Sequence, residues 1–255
     1  MDEKEVNVNG ARIVYFQGGS GPALVLLPSA GGRAKEYKDI FPFLASSFSV
    51  YTLDYPGFGR SEELKEVDGV EKLADFIVIW LQTIGIKSFF LVGFSMGGAI
   101  ALEMALKIPD QIRKLCVIAT AAGKINDVPI ISPIGLNLKE ILTFFYHRPE
   151  IKERIKNEKL GSDEKKEIHR SSQTFARMIK NSKVFQNILT LLPSIGCETL
   201  VIGAENDLVV PIPYQKAIFN QLPRAKWKVY PDTGHFIIVE RPNELALDLT
   251  RFFYE

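Results

Sequence analysis

Cysteine is scarce in this sequence, and neither sign of charge dominates it. The two cysteines, Cys116 and Cys197, are too few for a disulfide framework, and the apolar run 115–118 favours a buried thiol at Cys116. The chain has 31 lysines and arginines against 30 aspartates and glutamates, which leaves a net charge of +1. This balance predicts neither a nucleic-acid partner nor an anionic membrane surface.

Long apolar runs are also missing. No stretch of the chain approaches the ~18 apolar residues of a membrane span. The polar residues 1–5 do not resemble the apolar core of a signal peptide. We therefore expect a cytoplasmic protein with no membrane partner, and the composition leaves a homo-oligomer open.

The order of the sequence patterns predicts an α/β fold. Residues 6–16 alternate around Asn9-Gly10, which is typical of a hairpin. Apolar runs that are typical of buried strands occupy 23–27, 48–53, 88–93, 114–119, 199–203 and 226–230. Helical patterns occupy 37–45, 70–84, 96–107, 214–221 and 244–253. This alternation predicts a mostly parallel sheet with helices on both faces and catalytic groups in loops at the carboxyl ends of the strands.

The alternation stops between residues 124 and 194. No run there fits a buried strand, and helical patterns occupy 138–146, 149–159, 163–180 and 184–191. We expect residues 1–123 and 195–255 to form the core domain and residues 124–194 to form a helical cap over the sheet. Five apolar cap residues are candidates for the wall of a substrate pocket, and packing between cap helices explains them equally well: Ile130, Ile131, Leu142, Phe144 and Phe145.

The strongest motif is Gly-Phe-Ser-Met-Gly-Gly at 93–98, between a predicted buried strand and a predicted helix. A sharp strand-to-helix turn holds its central serine in a strained conformation above the sheet. Side chains at Gly93 and Gly97 would collide with neighbouring backbone in such a turn. The motif therefore predicts Ser95 as a nucleophile.

A serine nucleophile needs a base at neutral pH. His235 lies in the loop that follows the predicted strand 226–230, where it can reach across the sheet edge. The other two histidines, His147 and His169, fall in helical, lysine-rich cap sequence. We expect those two to lie on the surface or to pack within the cap.

The base in turn needs a carboxylate that fixes its tautomer and stabilises the imidazolium. Asp207 follows the predicted strand 199–203 and is the first candidate. Its neighbour Glu205 and the more distant Asp127 remain alternatives. The chain order of the proposed triad is Ser95, Asp207, His235.

With these residues, the sequence outside the cap resembles the α/β-hydrolase fold family. Residues 54–61 resemble the family's turn after the fourth strand, where Asp54 is interpreted as a turn former. The resemblance implies eight strands, a helical lid after the sixth, and hydrolysis through an acyl-serine intermediate without metal or cofactor. Serine esterases, enol-lactone hydrolases and cofactor-free haloperoxidase-like perhydrolases are the members it resembles most.

The loop after the predicted strand 23–27 departs from the family pattern. Relatives usually carry His-Gly after the third strand, whereas this chain has Pro28-Ser29. By position, the amides of Ala30 and Met96 are expected to form the oxyanion hole, and the Ser29 hydroxyl is a candidate third donor. The geometry of this loop stays open at the level of sequence.

We expect a serine hydrolase that cleaves a small, mainly apolar carboxylic ester or lactone. Aspartate replaces the nucleophilic serine in haloalkane dehalogenases and epoxide hydrolases, so Ser95 excludes those relatives. Carbon–carbon bond hydrolases and perhydrolases share the fold and the triad and remain alternatives. A ligand receptor with little turnover is a third hypothesis, which the intact triad disfavours.

Overall fold

A hairpin opens the fold in the computed structural model, which describes residues 1–125, 128–183 and 187–255. Strand β1 (Asp2–Val8) pairs antiparallel with β2 (Ala11–Gly18). Asn9 and Gly10 between them have φ values of 53° and 86°. Positive φ at both positions is what a two-residue hairpin turn of this type requires, and Asn-Gly adopts it readily.

The remaining strands alternate with helices, as the apolar runs predict. They are β3 (Ala23–Leu27), β4 (Ser49–Leu53), β5 (Phe89–Phe94), β6 (Ile112–Ile118), β7 (Glu198–Ala204) and β8 (Ala225–Tyr230). Within the described residues, eight strands form one sheet in the order β1-β2-β4-β3-β5-β6-β7-β8. The pairs β1–β2 and β2–β4 are antiparallel, and every later neighbour pairs in parallel. The predicted mostly parallel sheet is confirmed.

Helices cover both faces of the sheet. In the described part of the chain the helices are α1 (Phe41–Ala45), α2 (Val70–Thr83), α3 (Met96–Lys107), α4 (Leu138–Phe145), α5 (Pro149–Lys156), α6 (Ser162–Asn181), α7 (Ile212–Gln221), α8 (Ile237–Glu240) and α9 (Pro242–Tyr254). Successive residues of β5 and β6 alternate between two apolar clusters. Leu91 and Val117 join the cluster around Trp80 of α2, and Val92 and Ile118 face the opposite cluster. This two-sided burial explains why these strands have continuous apolar sequence.

One predicted helix is wrong in its first half. Residues 37–45 do not form a single helix: a 3-10 turn covers Ala34–Tyr37, and α1 begins only at Phe41. Pro42 is the cause, because its ring would collide with the carbonyl four residues earlier in a continuous helix, whereas it is tolerated in the first turn. The predicted helix 184–191 lies partly outside the described residues; within it, Ile188–Thr190 form a 3-10 turn.

The segment between β6 and β7 contains α4, α5 and α6 and, in its described part, no strand. Ion pairs join it to the loop region after β3: Lys38 to Glu158 and Arg154 to Asp39, each at 2.7 Å. The division into core and cap at residues 124 and 194 stays a prediction. Across the described ranges, no helix combines the length and apolar character that crossing a membrane would require.

Candidate active site

The backbone at Ser95 is strained in the manner that the motif predicts. Ser95 has φ 54° and ψ −116° between β5 and α3, and its amide donates to the Ile118 carbonyl at 2.8 Å. A Cβ at Gly97 would overlap the Leu27 carbonyl oxygen, and one at Gly93 would overlap the Gly97 backbone. Such conformations cost roughly 1–3 kcal/mol and persist only where the surroundings enforce them. The turn lifts the Ser95 hydroxyl into a cavity.

The structure brings Ser95, His235 and Asp207 together. His235 Nε2 lies 3.0 Å from Ser95 Oγ, and His235 Nδ1 lies 2.8 Å from Asp207 Oδ2. The side chains of His235 and Asp207 are 2% and 1% exposed. Because the carboxylate can only accept, Nδ1 carries the hydrogen of that bond and leaves Nε2 free to accept from the Ser95 hydroxyl. This is the arrangement that a general base for Ser95 requires.

The carboxylate of Asp207 is fixed on both sides. Its Oδ1 accepts hydrogen bonds from the amides of Val209 and Val210, at 2.9 and 2.8 Å, while Oδ2 faces His235. The neighbouring Glu205 is exposed, and its amide bonds to the Tyr230 carbonyl at 3.0 Å. The other alternative acid, Asp127, lies outside the described residues.

Aromatic rings enclose the imidazole of His235. The ring centroids of Phe94 and Phe145 lie 5.2 and 5.5 Å from that of His235, and Phe236 lies at 5.9 Å. Phe145 is the last residue of α4, so the segment between β6 and β7 contacts the candidate base directly. These contacts restrict the rotation of the imidazole and shield its bond to Asp207 from water.

The other histidines lie away from Ser95. His169 is exposed, and its ring faces the Gln173 amide at 3.1 Å. His147 is partly buried and contributes its backbone amide, not its ring, to a bond with Glu240.

The loop after β3 leaves the Ala30 amide available. Its neighbours are satisfied within the protein: the amide of Ser29 donates to Glu36 Oε2, that of Gly31 to Ser29 Oγ, and that of Gly32 to the Ser29 carbonyl, at 2.9, 3.2 and 2.9 Å. In the part of the chain that the structure describes, the Ala30 amide has no such acceptor.

The Met96 amide is the second predicted donor of the oxyanion hole. Met96 is the first residue of α3, where helix geometry leaves amides without an acceptor inside the helix. Both Met96 and Ala30 line the cavity that contains Ser95 and His235. Both residues therefore lie beside the candidate nucleophile, and their role as oxyanion donors stays a prediction.

The Ser29 hydroxyl, the candidate third donor, accepts the Gly31 amide at 3.2 Å, and its role at the oxyanion stays a prediction. Glu36 is a residue that sequence reasoning missed. Burial raises the pKa of Glu36, and the bonds from Ser29 together with the charge of Arg33 oppose that increase only in part. No sequence pattern identifies it, since its partners are mostly backbone amides of a loop.

Two buried tyrosines hold the end of β3. Tyr37 donates its hydroxyl to the Leu27 carbonyl at 2.8 Å, and Tyr55 donates to the Pro28 carbonyl at 2.9 Å. Burial raises the pKa of both phenols well above the ordinary value, so they remain donors at neutral pH. The peptide units before Ala30 are therefore held in place before any ligand binds.

A cavity of about 710 Å³ lies above Ser95. Three of the predicted pocket residues line it, namely Ile130, Ile131 and Phe145. Leu142 and Phe144 are not among the lining residues, and both are partly buried against the apolar cluster, which agrees with the alternative of packing. The remaining apolar wall consists mainly of Ile141, Ile155, Ile168, Phe175, Ile179, Val209, Val210 and Val239.

Charged residues also line parts of this cavity, and several of them are paired with each other. Lys35 bonds to Glu164 at 2.6 Å, beside the two ion pairs that Lys38 and Arg154 make across the cavity. The walls closest to the imidazole are instead aromatic. A ligand of mainly apolar character suits this distribution.

Comparison with known proteins identifies a family that this chain matches over most of its length. A sequence profile described as the alpha/beta hydrolase family matches residues 24–249. The 2-hydroxy-6-oxo-6-phenylhexa-2,4-dienoate hydrolase of Burkholderia cepacia is 28% identical over 96% of this chain and 93% of its own length.

Solved structures share the fold at lower identity. A meta-cleavage product hydrolase from Pseudomonas fluorescens IP01 superposes with a TM-score of 0.82 at 18% identity, covering 98% of this chain and 97% of that one. An esterase from Thermogutta terrifontis superposes with a TM-score of 0.77 at 21% identity, covering 100% of this chain and 98% of that one.

Proposed function

Because the chain belongs to the alpha/beta hydrolase family, we propose that it hydrolyses small, mainly apolar carboxylic esters or lactones through an acyl-serine intermediate. One observation carries the proposal. The hydrogen-bonded series Asp207–His235–Ser95 ends at the floor of a largely apolar cavity, beside the free amides of Ala30 and Met96.

In the first step His235 Nε2 accepts the Ser95 proton while Ser95 Oγ attacks the carbonyl carbon of the ester. The carbonyl oxygen becomes negatively charged and accepts hydrogen bonds from Ala30 and Met96. Each such donor contributes about 3 kcal/mol to lowering the barrier. Asp207 stabilises the imidazolium that forms without taking its proton.

In the second step the imidazolium of His235 protonates the departing alkoxide, and the carbon–oxygen bond of the ester breaks. The acyl group remains on Ser95. A water molecule then gives a proton to His235 and attacks the acyl carbon, and the proton returns to Ser95 Oγ as the acid leaves. The chemistry needs no redox partner.

Carbon–carbon bond hydrolysis is the second candidate, and the relative from Burkholderia cepacia favours it by its name and by its coverage of 96% of this chain. The substrate in that name is a carboxylate. In this chain, Lys38 and Arg154 beside the cavity already face Glu158 and Asp39. Arg33 and Lys124 also line the cavity, so its charges are compatible with either substrate class, and the test below decides between them.

The test compares both substrate classes with one protein. We expect turnover of p-nitrophenyl esters and loss of that turnover in Ser95→Ala, together with a single fluorophosphonate adduct on the Ser95 peptide. Faster cleavage of 2-hydroxy-6-oxo-6-phenylhexa-2,4-dienoate than of every ester would overturn the ester proposal. Labelling without turnover of either class would indicate a receptor, and peracid formation from acetate and hydrogen peroxide would indicate a perhydrolase.

A further inference from the structure

Glu36 is a carboxyl group beside the cavity that the mechanism above does not use. It belongs to the 3-10 turn Ala34–Tyr37, directly after the loop that contains Ala30. Its Oε2 accepts the Ser29 amide at 2.9 Å, and its Oε1 lies so close to Gly31 that a Cβ there would overlap it. The carboxyl group therefore contacts the residues on both sides of Ala30.

These contacts leave one amide of the loop for a ligand. The Ser29 hydroxyl accepts the Gly31 amide at 3.2 Å, and the Ser29 carbonyl accepts the Gly32 amide at 2.9 Å. Glu36 thus holds Ser29 in place, and Ser29 accepts the other two hydrogen bonds of the turn. Without it, the Ser29 amide would lose its acceptor and the turn could rotate Ala30 away from Ser95.

We propose that Glu36 is a positioning residue for the oxyanion hole, which holds the Ser29–Gly32 turn so that the Ala30 amide faces the oxyanion on Ser95. This inference rests on the proposed function to the extent that Ser95 forms a tetrahedral adduct. Burial raises the pKa of Glu36, and the hydrogen bond from the Ser29 amide opposes that increase.

The experiment compares Glu36→Ala and Glu36→Gln with the wild type. For one p-nitrophenyl ester we expect kcat of Glu36→Ala to fall by about 10- to 100-fold, less than the 10²–10³ that loss of a whole donor costs. KM should stay within about threefold, because the acyl group still contacts the same apolar wall. Glu36→Gln should lose less, since its amide oxygen still accepts from Ser29.

Two further readouts separate positioning from a purely structural role. An alkylboronic acid forms a tetrahedral adduct on Ser95, and its affinity for Glu36→Ala should weaken by the same factor as kcat. The rate at which a fluorophosphonate phosphonylates Ser95, with loss of fluoride, should fall in parallel. Neither quantity depends on global stability while the protein remains folded. Thermal unfolding of each variant checks that it is folded under the assay conditions.

The matched control is Glu103→Ala, which removes another half-buried carboxyl group, on α3, away from the cavity wall. It should leave kcat, boronate affinity and labelling rate unchanged. Equal kinetics of Glu36→Ala and Glu103→Ala would overturn the inference, and so would a rise in KM at constant kcat. If Glu36→Ala does not fold, Glu36→Asp takes its place, because its shorter side chain withdraws the carboxylate from the Ser29 amide, and an unchanged labelling rate in that variant would overturn the inference.

Failure of the proposed function gives a different result. A wild type that labels at Ser95 but hydrolyses no ester refutes ester hydrolysis, whereas the ratio of labelling rates between wild type and Glu36 variants still decides the role of Glu36.

Discussion

The Glu240 carboxylate accepts a hydrogen bond of 2.8 Å from the backbone amide of His147. Its second oxygen accepts the Arg148 amide at 3.2 Å, and the Glu240 side chain is buried. Glu240 lies five residues after His235, whereas residues 147 and 148 connect α4 with α5. In addition, the Phe236 amide donates to the Phe145 carbonyl at 3.1 Å. The loop that contains the candidate base is therefore bonded to the segment above it.

Replacing Glu240 by alanine should destabilise the protein, because two partly buried amides lose their acceptor. Hydrogen bonds to charged groups are worth about 1.5–3 kcal/mol each, so we expect the free energy of unfolding to fall by about 2–5 kcal/mol. Turnover should also fall, because Phe145 contacts the His235 ring. Urea denaturation and ester kinetics measure the two effects.

Glu244→Ala is the control for Glu240. Glu244 is exposed and pairs with Arg241 at 3.2 Å, so its removal should change the free energy of unfolding by less than about 0.5 kcal/mol. Equal stability losses in the two variants would contradict the role that we assign to Glu240.

The carboxylate of Asp207 should matter for turnover far more than for folding. Asp207→Asn keeps the shape of the side chain, but an amide nitrogen facing His235 Nδ1 would favour the wrong tautomer. We expect kcat to fall on the order of 10⁴-fold. Glu205→Gln, at an exposed neighbouring position, should keep wild-type kcat. A larger loss in Glu205→Gln or in Asp127→Asn would show that the acid is assigned to the wrong residue.

The wall formed by α5 should influence acyl preference. Ile155 lines the cavity, whereas Ile151, one turn earlier on the same helix, packs outside it. Ile155→Ala removes three carbons from the wall and opens space in which about two more methylene groups of an acyl chain can be buried, each worth about 0.8 kcal/mol. The ratio of kcat/KM for a bulky ester to that for acetate should therefore rise, by up to about tenfold. The same ratio should stay constant in Ile151→Ala, and a shift of equal size there would indicate an indirect effect of the helix.

Elements with local apolar patterns could be predicted from the sequence. The predicted bounds 23–27 and 96–107 agree with β3 and α3 residue for residue. A strand buried on both faces has a continuous apolar run, and the helix begins directly after a glycine-rich turn, so both can be recognised in the sequence. Ser95, Asp207 and His235 could be selected because each follows a predicted strand. The carboxyl ends of parallel strands meet at one edge of the sheet, so residues far apart in the chain come together there.

Contacts made by backbone could not be predicted in this way. Glu36 and Glu240 bond mostly to main-chain amides, and amides are present at every non-proline residue, so no residue pattern identifies their partners. Phe144 and Phe145 are equally apolar, yet only Phe145 lines the cavity. Which of two adjacent residues does so depends on how α4 lies on the core, and that orientation follows from long-range contacts such as Glu240 with residue 147.

The burial of Asp54 predicts that the free energy of unfolding depends on pH. It is buried, and its two oxygens accept the amides of Ala34 and Arg60 at 2.8 and 3.0 Å. Burial raises the pKa of Asp54 despite these bonds. Between the unfolded-state value of about 3.9 and the higher folded-state value, the folded protein holds the proton more tightly than the unfolded chain. The contribution of Asp54 to the free energy of unfolding therefore decreases as pH rises through this window.

Asp54→Asn tests this sign, because asparagine does not titrate. The wild type minus Asp54→Asn difference in the free energy of unfolding should be largest near pH 4 and should shrink as pH rises toward 7, with urea denaturation at each pH as the measurement. Glu164→Gln should behave in the opposite way. The bond from Lys35 lowers the pKa of Glu164, so its ionised form stabilises the fold and the corresponding difference should grow as pH rises. A difference for Asp54→Asn that is constant or that grows with pH would show that the hydrogen bonds from Ala34 and Arg60 outweigh the cost of burying the charge.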